Sequence, residues 1–333
     1  MWVVALGWLL VAPMSAAAQF KAWVMARLPD TPEGLAIDSK GNLYATLYHL
    51  GEVVMLKEDG SYEHVAWVPS KEESGKGRLL GLDFDKDDNL FVAYEAHSKY
   101  DATDLDDPFH AACRDATVTR SGLYRVDAKT RAVTALATRA DGWPFCFPDD
   151  VSLDGQGNVY MTDLTYSGIW KISLDGKKVE LWSAHRLLNW SPTPYSGYPL
   201  GVNDLVVDKR EKRVFAVTDG DTRLLSIRIM EDGRAGEPEE IGLPGYAMLD
   251  GIELDAAGDI YVSDVLRNEI WVISHDGSQR ILIANKTNAP LDDNTSLVIK
   301  GDVLCTANLG YLHPKPEDAD RTVVCMKGFA VPE

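Results

Sequence analysis

Four residues bearing oxygen donors, Glu33, Asp149, Asn203 and Asp250, open segments of the chain that otherwise look alike. Carboxylate and amide oxygens are what a hard divalent cation takes, six to eight at a time with water completing the shell. No His or Cys belongs to the set, which favours calcium, with Mn2+, Mg2+ and Zn2+ left open. Asp and Asn also open strands simply because they accept backbone N–H groups in the preceding turn. That role suits Asp149, Asn203 and Asp250 one at a time. It suits Glu33 poorly, and three carboxylates brought together need a positive charge to offset their repulsion.

The segments behind these residues repeat: an alternating apolar strand, a turn of the D-x-x-G-N kind, a second apolar strand and a polar-edged hairpin. They read PEGLAIDSKGNLYAT from Pro32, LLGLDFDKDDNLFVA from Leu79, PDDVSLDGQGNVYMT from Pro148, VNDLVVDKREKRVFAV from Val202, LDGIELDAAGDIYVS from Leu249 and NTSLVIKGDVLCTA from Asn294. Glu33, Leu80, Asp149, Asn203, Asp250 and Thr295 are equivalent, at spacings of 47, 69, 54, 47 and 45 residues. A period of roughly 40 to 50 residues with alternation of two predicts an all-β six-bladed β-propeller, whose innermost strands begin around one tunnel mouth. The run FKAWVMARL from Phe20 has no blade of its own and is expected to close the ring as the outer strand of blade six. Blade two carries about 25 extra residues from Ala96 to Ser121, and a long loop from Ser183 to Gly201 joins blades three and four. Both should emerge on the face where the inner strands begin, as a lid.

Residues 1–18 form an apolar run ending in Ala16-Ala17-Ala18, which reads as a cleaved export signal and predicts a secreted or periplasmic protein. Residues 19–333 are then a single domain, with no membrane span after cleavage. A net charge of −18 makes nucleic acid and anionic lipid poor partners and cations good ones. The four cysteines include no C-x-x-C pair and suit disulfides, Cys305 with Cys325 across blade six and Cys113 with Cys146 tethering the lid. Asn189, Asn285 and Asn294 stand in N-x-S/T sequons. No G-x-S-x-G elbow or phosphate-binding loop is present.

In the order and register of these motifs the chain resembles the SMP-30/gluconolactonase family and the paraoxonase-like lactonases. The resemblance runs through PEG at Glu33, VND at Asn203 and LDG at Asp250, the positions that hold metal in that family. The family's third-blade residue is usually Asn, whereas Asp149 stands here and adds negative charge. The resemblance implies metal-dependent hydrolysis of a lactone or related ester, the ion acting on the carbonyl and a carboxylate taking a proton from water. Asp250 is the first candidate for that base and Asp149 the second. Asp150 and Asp204 follow two of the ligands and, by strand alternation, should point away from the metal. His49 and His97 are candidate rim histidines. Two other functions fit the same scaffold: a non-catalytic ligand- or protein-binding propeller with a structural metal, and a strictosidine-synthase-like lyase.

Sugar-lactone members of the family often carry an Arg shortly before the third-blade residue. Here the run is Trp143-Pro144-Phe145-Cys146-Phe147-Pro148-Asp149, with no Arg. Trp143, Phe147, Trp190, Tyr195 and Tyr198 are expected to form an aromatic substrate rim. Such a rim favours alkyl- or aryl-substituted lactones over sugar lactones.

Overall fold

The computed structural model describes residues 20–96, 120–189, 200–219, 221–242, 248–310 and 319–328. Every blade predicted by the repeat forms a four-stranded antiparallel sheet. From the axis outward, blade 1 is Pro32–Ile37, Leu43–Leu47, Glu52–Leu56 and Tyr62–Trp67, and blade 2 is Gly77–Phe84, Leu90–Ala96, Gly122–Val126 and Val133–Ala137. Blade 3 is Pro148–Leu153, Asn158–Asp163, Gly168–Ser173 and Val179–Ser183, and blade 4 is Val202–Asp208, Arg213–Thr218, Arg223–Arg228 and Glu239–Ile241. Blade 5 is Leu249–Leu254, Ile260–Asp264, Glu269–Ile273 and Arg280–Asn285. Blade 6 takes Asn294–Lys300, Val303–Asn308 and Thr322–Lys327 from the end of the chain and its outermost strand, Lys21–Arg27, from the beginning. That strand pairs from Lys21↔Lys327 to Arg27↔Thr322, closing the ring as expected. Among the described residues there is no α-helix, and none long and apolar enough to cross a membrane.

Alternation along each strand sends successive side chains into two different interfaces. Tyr44 on the second strand of blade 1 packs with Leu82 and Val92 of blade 2, while its neighbour Ala45 packs with Val298 and Ala307 of blade 6. The same division produces one apolar cluster at each of the six junctions between blades, so both faces of every sheet are buried. The turns are built by their aspartates: Asp38 Oδ1 accepts the N–H groups of Lys40 and Asn42 at 2.9 and 2.8 Å, and Asp85, Asp154 and Asp255 repeat the arrangement. Part of the acidity of the chain is therefore structural.

Cys305 and Cys325 face each other across adjacent strands of blade 6 and are joined by a disulfide, with Cα atoms 4.0 Å apart. Cys146 is also disulfide-bonded; its expected partner, Cys113, lies outside the described residues. So do the proposed export signal, most of the blade-two insertion with His97, and the loop bearing Trp190, Tyr195 and Tyr198. Of the sequons, Asn294 is fully buried at the start of its inner strand and closed to modification in the folded protein.

Candidate active site

The inner strands share one irregularity that the alternation of the sequence does not announce. In each blade the pairing slips so that two residues oppose one: Glu33-Gly34, Leu80-Gly81, Asp149-Asp150, Asn203-Asp204, Asp250-Gly251 and Thr295-Ser296. A bulge of this kind bends the strand and re-aims its side chains. In blades 1, 3 and 5 the single opposing residue is Thr46, Thr162 or Ser263, whose hydroxyl accepts the N–H of Gly34, Asp150 or Gly251 at 2.7–2.8 Å. These are the blades that carry Glu33, Asp149 and Asp250.

Asp150 and Asp204, expected to point away from the metal, line a cavity that none of Glu33, Asp149, Asn203 and Asp250 reaches. Both are buried, and Asp204 is held well above the usual carboxylate range by burial and then by Asp150, Asp250, Glu33 and Asp149. Asp150 Oδ2 accepts the N–H of Leu205 from blade 4 at 3.1 Å, and burial still pushes the group up to about 8. The glycines at the second bulge position in blades 2 and 5 are dictated by the same crowding. A Cβ on Gly81 would meet the Cα of Asp150 at 2.7 Å, and one on Gly251 would meet that of Ser296 at 2.8 Å.

Glu33, Asp149, Asn203 and Asp250 are brought together at the top of the axis and are between 4% and 9% exposed. Burial, followed by Asp149, Asp250 and Asp150, drives the Glu33 carboxyl far up. Burial and then Asp250, Asp150, Asp219 and Asp163 do the same to Asp149. Asp250 is pushed up by burial to about 7, restrained by the Asn203 amide. One further carboxylate belongs here that the sequence reading passed over. Asp219, 3% exposed, is raised by burial and by Asp250 and is restrained by the same Asn203 amide. Its only signal in the sequence is an acid at a place where most blades carry an apolar residue.

Glu33 Oε2, Asp219 Oδ1 and Asp250 Oδ1 are buried without a hydrogen-bond partner. Orphaned carboxylate oxygens beside an amide are a donor set that a hard cation fits. Among the described residues no three His, Cys, Asp or Glu side chains form a metal-holding group by themselves. A cation would rest on two carboxylates, the Asn203 carbonyl oxygen and water.

Above this set lies an apolar layer to which every blade contributes: Tyr48, Leu80, Phe147 and Leu200 within one cluster, with Met248 and Leu309 packed against it. Six blades meet in one cluster only at the axis. Phe147, expected at the rim, is 2% exposed and packed into this layer, whereas Trp143 is 55% exposed on a tight hairpin from Arg139 to Pro144. The run before Asp149 holds no Arg, but an Arg from another blade reaches the aromatic rings there. Arg78 of blade 2 sits 5.4 Å from the ring of Phe147 and 5.8 Å from that of Tyr48, with Glu95 3.8 Å away. His49 pairs with Asp30, 3.1 Å from its Nδ1, and its side chain is 62% exposed. Below the acids the axis opens into a cavity of about 500 Å³, lined by Asp150 and Asp204 above and Lys209 and Arg210 below. It does not reach Glu33, Asp149, Asn203 or Asp250.

No protein-family profile and no curated protein matches the sequence. Solved structures do match in shape. A gluconolactonase from Xanthomonas campestris superposes with a TM-score of 0.65 at 13% identity, over 92% of this chain and 89% of its own. A candidate gluconolactonase gives 0.63 at 14% identity over 93% and 92%. A virginiamycin B lyase from Staphylococcus aureus gives 0.58 at 11% identity over 93% and 99%. At such identities the likeness concerns the fold, and the chain is a six-bladed β-propeller closed by its N-terminal strand.

Proposed function

We propose that the protein is a hydrolase of a lactone or related ester that works with a divalent cation, calcium by choice of donors, at the top of its tunnel. The observation that carries this reading is the pair of buried, unpartnered oxygens on Glu33 and Asp250 beside the Asn203 amide. Carboxylates so placed are costly unless something positive accompanies them. The gluconolactonases among the similar structures support the same choice of chemistry.

In this reading Glu33, Asn203 and Asp250 hold the ion, which when bound supplies Lewis-acid polarisation of the ester carbonyl. Asp149 stands beside them as a carboxylate of raised proton affinity, suited to take a proton from attacking water. Asp250 can serve as that base when Asp149 is protonated, and their mutual repulsion ensures that the two titrate as a unit. The apolar layer of Tyr48, Phe147, Leu200 and Met248 shields the reacting centre from bulk water and receives alkyl or aryl substituents. Arg78 is its polar handle. Export to an oxidising compartment, read from residues 1–18, suits a protein whose described cysteines are all in disulfides.

The test is a panel of lactones and aryl esters assayed on the purified protein with chelator and after metal is restored. Hydrolysis that vanishes and returns supports the proposal. Binding without turnover would favour a non-catalytic propeller, and turnover indifferent to chelator would point to lyase-like or metal-free chemistry.

A further inference from the structure

In blades 1, 3 and 5 the second strand carries a tyrosine near its start: Tyr44, Tyr160 and Tyr261. In blades 1 and 5 the hydroxyl reaches the aspartate of its own turn, Tyr44 donating to Asp38 Oδ2 at 3.2 Å and Tyr261 to Asp255 Oδ2 at 3.5 Å. Blade 3 differs. Asp154 Oδ2 takes the Asn158 amide at 2.5 Å, and the hydroxyl of Tyr160, a residue 0% exposed, has no hydrogen-bond partner. A buried hydroxyl left unpaired is costly. Tyr160 also lines a cavity of about 110 Å³ between blades 3 and 4.

The walls of this cavity are the turn that follows Asp154, the turn from Asp208 to Lys212 and the hairpin around Gly233. It lies at the end of the inner strands opposite the acids, since the strand from Asn203 to Asp208 runs about 17 Å. Three lysines line it. Lys171 donates to the carbonyl of Gly233 at 3.0 Å and sits 6.0 Å from the ring of Tyr160. Lys209 and Lys212 form no ion pair among the described residues, although the charge of Lys209 is also felt by Asp83 and Glu253 in the axial cavity. Lys212 adopts a φ of +52°, just before the second strand, where Gly41, Gly157 and Gly258 stand in blades 1, 3 and 5. Blade 4 thus holds a cation where its neighbours hold the residue that this backbone conformation favours. The aspartates of the walls are committed to their turns. Asp154 Oδ1 accepts the N–H groups of Gln156 and Asn158 at 2.7 and 3.1 Å, and Asp208 Oδ1 accepts that of Arg210 at 2.8 Å. Glu231 lines the cavity as well and is exposed. What remains unmatched is a set of donors, three ammonium groups and one hydroxyl.

We propose that this cavity binds a phosphoryl group, as free phosphate or as the end of a monoester, with the Tyr160 hydroxyl donating to one oxygen and Lys171, Lys209 and Lys212 supplying the charge. Four donors suit the four oxygens of such a group, whereas a carboxylate offers two. The volume is that of about four waters, which admits a compact tetrahedral anion and leaves the body of any larger ligand outside. The site stands apart from the proposed cation site and does not depend on the hydrolysis proposed there.

The experiment is calorimetric titration of the full chain with inorganic phosphate, methyl phosphate and acetate at fixed ionic strength, for the wild type, Tyr160→Phe and Lys212→Gly. Thermal unfolding in phosphate-free buffer is the folding control. Tyr160→Phe removes only an unpaired hydroxyl, so it should unfold at the wild-type temperature or above. It should nevertheless bind phosphate about tenfold more weakly, the worth of a hydrogen bond to a charged group. Lys212→Gly should fold, because glycine takes that conformation freely, and should bind about three- to fivefold more weakly. Saturable binding of phosphate that weakens in both variants supports the proposal; methyl phosphate bound as well marks a monoester end, and methyl phosphate excluded marks the free anion. Wild-type affinity in Tyr160→Phe would overturn the proposal, as would acetate bound as tightly as phosphate, or no saturable binding by about 10 mM phosphate. A lower unfolding temperature for Tyr160→Phe without phosphate would show that the hydroxyl already has a partner in the protein, and that result too would overturn it.

Discussion

Stripped of divalent cations, the protein should lose stability as pH rises from about 5 to 8, and calcium should remove that dependence. The acids at the axis have folded-state proton affinities above their ordinary ones, with Asp250 raised to about 7 from 3.8 and Asp150 to about 8. Between about pH 4 and these values the unfolded chain has released protons that the folded protein retains. Stability therefore falls with pH across that window, and above it the cost is fully present. For Asp250 alone, a buried group, the difference amounts to about 4 kcal/mol. Because Asp150 and Asp250 interact, their costs do not add, so about 4 kcal/mol is a working figure for the site. At about 2 °C per kcal/mol, it corresponds to a fall in Tm of about 8 °C. A cation binds the ionised forms and, at about a thousandfold over its Kd, contributes about 4 kcal/mol, enough to flatten the curve. The assay is thermal unfolding followed by tryptophan fluorescence at a fixed scan rate, in EDTA and in calcium, from pH 5 to 8. Asp250→Asn should be less sensitive to pH in EDTA and blunt to calcium. A flat curve for the wild type in EDTA, or a calcium effect that survives Asp250→Asn unchanged, would refute the reasoning.

Asp250→Asn should also reduce kcat/KM for the best lactone by at least about a hundredfold, with circular dichroism unchanged. An alkyl- or aryl-substituted lactone should exceed gluconolactone in kcat/KM by at least about tenfold, or about 1.4 kcal/mol; equal rates would mean that Arg78 rather than the apolar layer dominates recognition. Gly81→Ala should destabilise by about 1–3 kcal/mol in urea unfolding, since its Cβ would lie 2.7 Å from the Cα of Asp150 and force blades 2 and 3 apart. Replacing Cys305 and Cys325 together by Ser should cost about 3 kcal/mol, the loop-closure value for a separation near 20 residues. A loss below about 1 kcal/mol in the same urea assay would show that blade 6 does not depend on the bond.

The sequence by itself determined the number of blades, their boundaries and the way the ring closes. Each blade is a local unit, with its alternation, its turn aspartate and its hairpin residues written in consecutive positions, and the unmatched strand near Phe20 had only one sheet left to join. The same repeat aligned Glu33, Asp149, Asn203 and Asp250, because equivalent positions in a radial repeat must converge on the axis. What alternation could not express is the bulge at the head of every inner strand, which arises where six strands crowd together and, in three blades, a hydroxyl captures the freed N–H. At the second position of that bulge, Asp150 and Asp204 lie close enough to the other acids for their charges to be felt. The places of Asp219, Arg78 and the apolar layer were decided only by tertiary structure. Each depends on contacts between blades, such as the Arg78 guanidinium above the ring of Phe147 or the Asn203 amide beside Leu249. These partners lie tens of residues apart in the chain, and burial and electrostatics act on distance in space, which no local pattern records.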